Sequence, residues 1–261
     1  MNAKKQIASI LKDVEMCFGI EILFAVENGS RVWKMESRDS DYDVRFVFRY
    51  PTERYLGLEK PRDVLNAAFD AGLEPCAPSE ALYDFSGFEI GKYVGLLAKS
   101  NSTAIEWLLS DIVYYGDNNL PVREYMLWHF NPAALFYHYR SLCRQTFEGT
   151  FAKIPTHKKY LYMFRGLVNA LFVQNENAVP PLNFRETLGL CRDRLPAEVF
   201  SALEELMRMK AEGREKEGAG RKPLFDAFIQ EFLDSSSDVP SRPVDVSVLD
   251  AFLRETRMKP L

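Results

Sequence analysis

The sequence predicts a small α/β domain followed by an all-α one. Three observations carry this reading. Helical and strand-like periodicities alternate through the first 115 residues, and after Pro121 the strand-like alternation gives way to long helical patterns. The charge balance changes at the same place: residues 1–119 hold 13 Lys/Arg against 19 Asp/Glu, and residues 120–261 hold 20 against 18. The expected organisation is an α/β domain over 1–118, a helical accessory domain over 119–234, and a linker with a final helix over 235–261.

Taking the elements in order, Ile7, Ile10, Leu11 and Val14 recur at helical spacing, predicting an amphipathic helix over 4–17. Glu21–Glu27 (EILFAVE) is a short apolar strand ended by Asn28-Gly29. Val44, Phe46 and Phe48 alternate with Asp43, Arg45 and Arg49, the period of a strand with one buried face. Pro61–Gly72 reads as helical, and Pro75 and Pro78 then break the chain. Ala81–Phe85 is a third strand; Phe88–Lys99 and Thr103–Leu109 are helices. In the second half the helical patterns cover Tyr125–Phe147, Lys158–Gln174, Phe184–Leu190, Glu198–Lys210 and Pro223–Leu233. Glu212–Lys222 is a charged, glycine-containing loop expected to be mobile. A polar, proline-punctuated stretch over 235–243 leads into a last helix near Val246–Arg257.

Composition narrows the function classes. Hydrophobic residues make up 47% and charged residues 27%, the balance of a globular protein with a substantial core. No apolar run approaches the roughly 20 residues of a membrane helix, and no signal-peptide core opens the chain. Cys17, Cys76, Cys143 and Cys191 are scattered without CxxC spacing, which suits reduced thiols in a cytoplasmic protein. His129, His138 and His157 stand near no cysteine pair, so zinc is not expected. The formal net charge of −4 does not support strong non-specific binding to nucleic acid.

The stretch that carries chemistry runs GSRVWKMESRDSDYDVRFVF, from Gly29 to Phe48. Residues two apart on a strand project to one face, so Asp41 and Asp43 point together from the start of the second strand. Two converging carboxylates can share Mg²⁺ or Mn²⁺, whose remaining positions are readily filled by substrate phosphates. Gly29-Ser30 follows a strand and is expected to open a short helical turn, where glycine lets backbone N–H groups approach a phosphate. Asp-x-Asp alone is common and often merely solvated, and Gly-Ser alone is a turn. In this order, ten residues apart and with a strand on each side, the two fit a nucleoside triphosphate held by turn and metal.

The order Gly-Ser, ten residues, then Asp-aromatic-Asp-aliphatic resembles the signature of the DNA polymerase beta nucleotidyltransferase superfamily. The longer string Gly29-Ser30-Arg31…Asp39-Ser40-Asp41-Tyr42-Asp43-Val44-Arg45 is similar to its RNA-repair-associated branch, of the RlaP or YcgL kind. Asp84-Phe-Ser-Gly-Phe-Glu89-Ile-Gly-Lys92, Leu97–Asn101 and Ile105–Leu108 resemble that branch's second block. Lys158–Arg165 and Val179–Phe184 resemble its C-terminal segments. The likeness covers roughly residues 20–235. Lys34 departs from it, standing where the branch usually carries glycine, and so does Asn101-Ser102, where Asn-Pro is typical.

The resemblance implies a minimal nucleotidyltransferase domain with a mixed sheet, and transfer of an NMP from an NTP, ATP foremost, to a hydroxyl on RNA, protein or a small molecule. It implies a metal held by Asp41, Asp43 and a third carboxylate on the next strand. Asp84 and Glu89 are both candidates for that third group: Asp84 is better placed on the strand, whereas Glu89 better matches the acidic position before the lysine. Either could instead cap the helix that begins near Gly87. Arg31, Arg45 and Lys92 are candidates for phosphate contact, although Arg45 could equally pair with Asp43. Lys158, Lys159, Tyr162 and Arg165 mix charge with aromatic rings and could hold an acceptor; they could equally form a wet helix end over a packed stripe. Trp107 and the three histidines read as packing residues. Two rivals remain: a phosphoesterase using water on the same carboxylates, and a non-catalytic nucleotide-binding module.

Overall fold

In the computed structural model, which describes residues 3–37, 40–149, 155–214 and 220–260, the first half supplies five strands. These are β1 (Glu21–Glu27), β2 (Tyr42–Arg49), β3 (Val64–Phe69), β4 (Tyr83–Glu89) and β5 (Val113–Gly116). They form one mixed sheet in the order β3-β4-β2-β1-β5. Only the central β2–β4 pair is parallel, with Tyr42 opposite Tyr83 through to Phe48 opposite Glu89. The chain accordingly leaves the end of β2 and returns to its start before entering β4, as a parallel pair requires.

Alternation along the strands sorts side chains between two helical layers. Val44, Phe46, Phe48, Tyr83 and Phe85 join Ile7, Ile10, Leu11 and Val14 of α1 (Ala3–Phe18) in one core. On the other face lie α3 (Ile90–Ala98) and α4 (Ser102–Leu109). There Phe88 stacks on Trp107 at 4.5 Å between ring centroids, and Tyr93 meets Phe24 edge-on at 5.7 Å. The fully buried Phe24, Tyr93 and Trp107 each contribute about 1.5–3 kcal/mol through burial alone. A short α2 (Thr52–Tyr55) follows β2, and α5 (Val122–His129) follows β5.

The helical unit contains α6 (Pro132–Glu148), α7 (His157–Glu176), α8 (Phe184–Leu190), α9 (Ala197–Ala211) and α10 (Pro223–Asp234). The pairing of α6 with α7 depends on Gly166, where a Cβ would come within 2.9 Å of the Tyr139 carbonyl. The last helix, α11 (Val246–Met258), packs against α3 and α5. The compact units are therefore Met1–Val32 with Ser40–His129 and Val244–Leu261, and Trp33–Asp39 with Phe130–Pro243. They divide the chain differently from the boundaries expected at 118/119 and 234/235.

Where a helix was expected from Phe88, β4 runs on to Glu89 and α3 begins at Ile90, and three further local readings change. Residues 61–72 were expected to be helical, but β3 occupies 64–69, pairing antiparallel from Val64 opposite Phe88 to Phe69 opposite Tyr83. Pairing along β4 overrides the helix preference of the leucine and alanines there. The single helix expected over Tyr125–Phe147 breaks at Asn131-Pro132, where the Asn131 side chain accepts from Ala134 N at 3.2 Å and caps α6. The short strand β5 was not anticipated. Among the described residues no strand falls within 125–210, as expected for a helical second half. Of the expected mobile loop, residues 215–219 lie outside the described residues.

Candidate functional site

The turn after β1 is built around a close approach. Asn28 N donates to the Asp43 carbonyl at 2.9 Å, and a Cβ on Gly29 would come within 1.9 Å of Asp43 Oδ2. Only glycine leaves room for the Asp43 carboxyl to lie across the chain here. The buried Ser30 and residues 31–34 continue as turns, with no helix. The expected helix N-terminus is therefore absent, and any backbone N–H offered to a phosphate comes from the turn. Arg31 grips the approach to β2: its Nε donates to the Asp41 carbonyl at 3.1 Å, a second nitrogen donates to the Ser40 carbonyl, and its guanidinium lies 3.9 Å over the Tyr42 ring.

Parallel register sets Asp43 directly opposite Asp84, on adjacent strands and one face. The Arg45 guanidinium lies between them. Its Nη2 donates to Asp43 Oδ1 at 2.9 Å and Asp84 Oδ2 at 2.8 Å; Nη1 donates to the Asp84 carbonyl at 2.9 Å and the Val44 carbonyl at 3.2 Å. Two hard carboxylates that already share one cation form a donor set suited to Mg²⁺ or Mn²⁺. Among the described residues, no three Asp, Glu, His or Cys side chains stand together as a preformed metal site, so Asp41 does not complete a triad with this pair.

Glu89 lies at the other end of β4, five residues from Asp84 and therefore about 16 Å along the strand at ~3.3 Å per residue. It is 4% exposed and fully engaged. Its carboxylate caps α3, accepting from Gly91 N at 2.7 Å and Lys92 N at 3.3 Å, and also accepts from the Tyr55 hydroxyl and from Arg257 of α11, both at 2.8 Å. Lys92 lies at the same end, paired with Asp63 at 2.9 Å. A cleft of ≈ 450 Å³ opens beside these groups. The structure thus joins Asp84 to Asp43, and it places Glu89 and Lys92 elsewhere.

In the helical unit, the candidate acceptor residues engage Trp33. The Arg165 guanidinium lies 3.6 Å over the Trp33 ring, and Tyr162 meets that ring edge-on at 5.8 Å. Lys158 Nζ lies 5.6 Å over Tyr162, and Lys159 N donates to the capping Thr156 hydroxyl at 3.3 Å in the first turn of α7. Phe184 N donates to the Trp33 carbonyl at 3.1 Å. This cluster holds Trp33 against α7 and the start of α8. Lys34 follows with φ 55°, a left-handed conformation that glycine adopts without strain. Asn101 caps α4 through Ala104 N at 3.2 Å, and Ser102 takes the first helical position, where proline fits well.

Two groups escaped the sequence reading. Glu27 ends β1 with no exposed surface, its Oε1 accepting from Asp43 N at 3.1 Å and its Oε2 from the Tyr114 hydroxyl at 2.5 Å. Burial, and secondarily the Asp43 charge, push its carboxyl up to about 7, against the Tyr114 hydrogen bond. Burial also raises the Tyr114 phenol. An acid ending an otherwise apolar strand, one residue before Asn-Gly, was the available signal for Glu27. Tyr114 had none, because its strand was missed. Next to them Asn28, with its amide oriented by its neighbours, donates to Glu106 Oε2 at 3.3 Å and accepts from Trp107 Nε1 at 3.2 Å.

Comparison with known proteins adds three findings. Residues 3–255 match the family described as RlaP, RNA repair pathway DNA polymerase beta family. The "Uncharacterized protein YcgL" of Bacillus subtilis (strain 168) is 34% identical over 235 residues, which are 87% of this chain and 84% of that protein. A crystal structure of a nucleotidyltransferase-like protein from Exiguobacterium sibiricum 255-15 aligns over 98% of this chain and 76% of that one. At 11% identity and a TM-score of 0.32, that likeness is too loose to argue from.

Proposed function

Because this chain belongs to the RlaP family, the RNA repair pathway DNA polymerase beta family, we propose that it is a metal-dependent nucleotidyltransferase centred on Asp43 and Asp84. The observation that carries this reading is the parallel register that sets Asp43 opposite Asp84, beside the Gly29 turn. The substrates are an NTP, with ATP first, and an acceptor bearing a free hydroxyl, with an RNA end first. The hydroxyl oxygen attacks the α-phosphorus, the bond to the bridging oxygen breaks, and pyrophosphate leaves with its charge. The acceptor proton passes to a carboxylate, which we assign to Asp84. Asp43 and Asp84 would supply oxygen ligands for Mg²⁺ or Mn²⁺, with Asp41 drawn in beside them, and the bound ion would neutralise the triphosphate and the leaving pyrophosphate. The Gly29-Ser30 turn offers backbone N–H groups to phosphate, and Arg31 fixes the segment that carries Asp41.

Support for Asp84 over Glu89 is positional, since Glu89 already caps α3 and holds Arg257. The test is incubation with α-³²P-labelled NTPs and Mg²⁺ in the presence of RNA, protein and small-molecule pools. The expected result is label in one acceptor class, with loss of about a thousandfold or more in Asp43→Asn, because metal-held charge is worth several kcal/mol at the transition state. Label released only as free NMP would point to a phosphoesterase instead. Absence of both transfer and nucleotide binding would leave a non-catalytic module.

A further inference from the structure

Asp43 and Asp84 could not stand side by side as bare anions without raising each other's energy, because strands are about 4.8 Å apart and like charges at that range repel. Arg45 resolves this. It lies two residues beyond Asp43 on the same face, and all four terminal N–H groups of its guanidinium are used, two on the carboxylates and two on main-chain carbonyls. A crosslink is not needed to join these strands, which already pair over seven residues from Tyr42–Tyr83 to Phe48–Glu89. Nor is the group sealed off: the side chains of Arg45, Asp43 and Asp84 keep 16%, 23% and 33% of their exposure, so solutes can reach them.

We infer that Arg45 is a resident counter-ion, holding the Asp43 and Asp84 carboxylates ready until a divalent cation and a triphosphate replace it. This rests on the metal reading proposed above. The guanidinium occupies the carboxylate oxygens that face each other, so a metal that takes those oxygens must displace it. A displaced guanidinium keeps its charge and its fork of donors, the geometry that phosphate oxygens accept bidentately. Arg45 thereby opposes metal binding in the empty protein and favours it when a triphosphate arrives. The site stays closed to a bare divalent cation and opens to the cation with its nucleotide. On this account Arg45 holds the two carboxylates in the empty site and contacts phosphate in the loaded one.

The test is Mn²⁺ binding to wild type, Arg45→Gln, Arg45→Lys and Asp43→Asn, by calorimetry and by the electron spin resonance of free Mn²⁺, without and with a non-hydrolysable ATP analogue. Folding is checked by circular dichroism. Without nucleotide, Arg45→Gln should bind Mn²⁺ about fivefold or more tighter than wild type, the effect of removing one nearby positive charge in a wet site. Arg45→Lys, whose single ammonium cannot span both carboxylates, should fall between them and serves if Arg45→Gln does not fold. With the analogue present the order should reverse. Folded variants that bind bare Mn²⁺ no tighter than wild type, while Asp43→Asn loses it, would overturn the inference and leave the metal reading standing. Equal binding in all four proteins, Asp43→Asn included, would overturn both.

Discussion

Glu27 shows what one buried acid does to this protein. Its folded carboxyl titrates at about 7 and its ordinary value is 4.5, so between those values the unfolded chain loses a proton that the folded chain keeps. Stability is therefore fully present below the ordinary value, declines as pH rises through the window, and is flat above it. The loss is of order 3 kcal/mol at ~1.36 kcal/mol per pH unit. Gln keeps an acceptor for Asp43 N and never ionises. Urea melts of the metal-free protein should show Glu27→Gln close to wild type at pH 4.5 and clearly more stable at pH 8. A wild-type curve flat across that window would contradict the burial argument; Asp43, Tyr114 and Arg31 are the other groups that act on Glu27. At this scale the sequence pointed to Gly29 and Asp43, which the fold brings together, whereas Asp41, expected to converge with Asp43, forms no three-carboxylate group with it and Asp84. It could not reveal Glu27 or the separation of Asp84 from Glu89, since these depend on which strand ends meet.

Among the elements, α11 is the one whose placement local pattern could not provide. Its helical period was visible, but its partners are more than a hundred residues away in sequence. The contact is polar as well as apolar. Arg257 donates to Glu89, Thr52 donates to the Arg257 carbonyl, and the Arg49 guanidinium, 2% exposed, donates to Glu21 and to the carbonyls of Lys259 and Pro260. Hydrogen bonds from a charged donor are worth about 1.5–3 kcal/mol each in such surroundings. Arg49→Met gives up three such partners at once and should lower overall stability by roughly 3–5 kcal/mol, and amide exchange in α11 should quicken ahead of exchange in β2. Lys259→Ala keeps the backbone carbonyl and should change neither. Unaltered exchange in α11 of Arg49→Met would mean that its apolar face alone holds it. The strand β3 gives the complementary lesson: its leucine and alanines favour a helix locally, and pairing with β4 decides otherwise.

For the molecule as a whole, the alternation of helix and strand, the change near residue 120 and the helical second half were legible because hydrophobic period reports element type directly. Unit membership was not, because residues 33–39 and 244–261 each join the unit that their neighbours in sequence do not. Among the described residues no helix is long and apolar enough to cross a membrane. The central claim is that chemistry belongs to the Asp43–Asp84 end of β4 and stability to the Glu89 end. The most direct measurement is label transfer from α-³²P-ATP to the accepted acceptor by Asp84→Asn and Glu89→Gln, assayed at a temperature where both are folded, with metal–nucleotide binding measured alongside. The account predicts that Asp84→Asn loses transfer by orders of magnitude while still binding metal and nucleotide, and that Glu89→Gln melts earlier yet transfers at close to the wild-type rate. Full transfer by Asp84→Asn, with transfer abolished in folded Glu89→Gln, would contradict it.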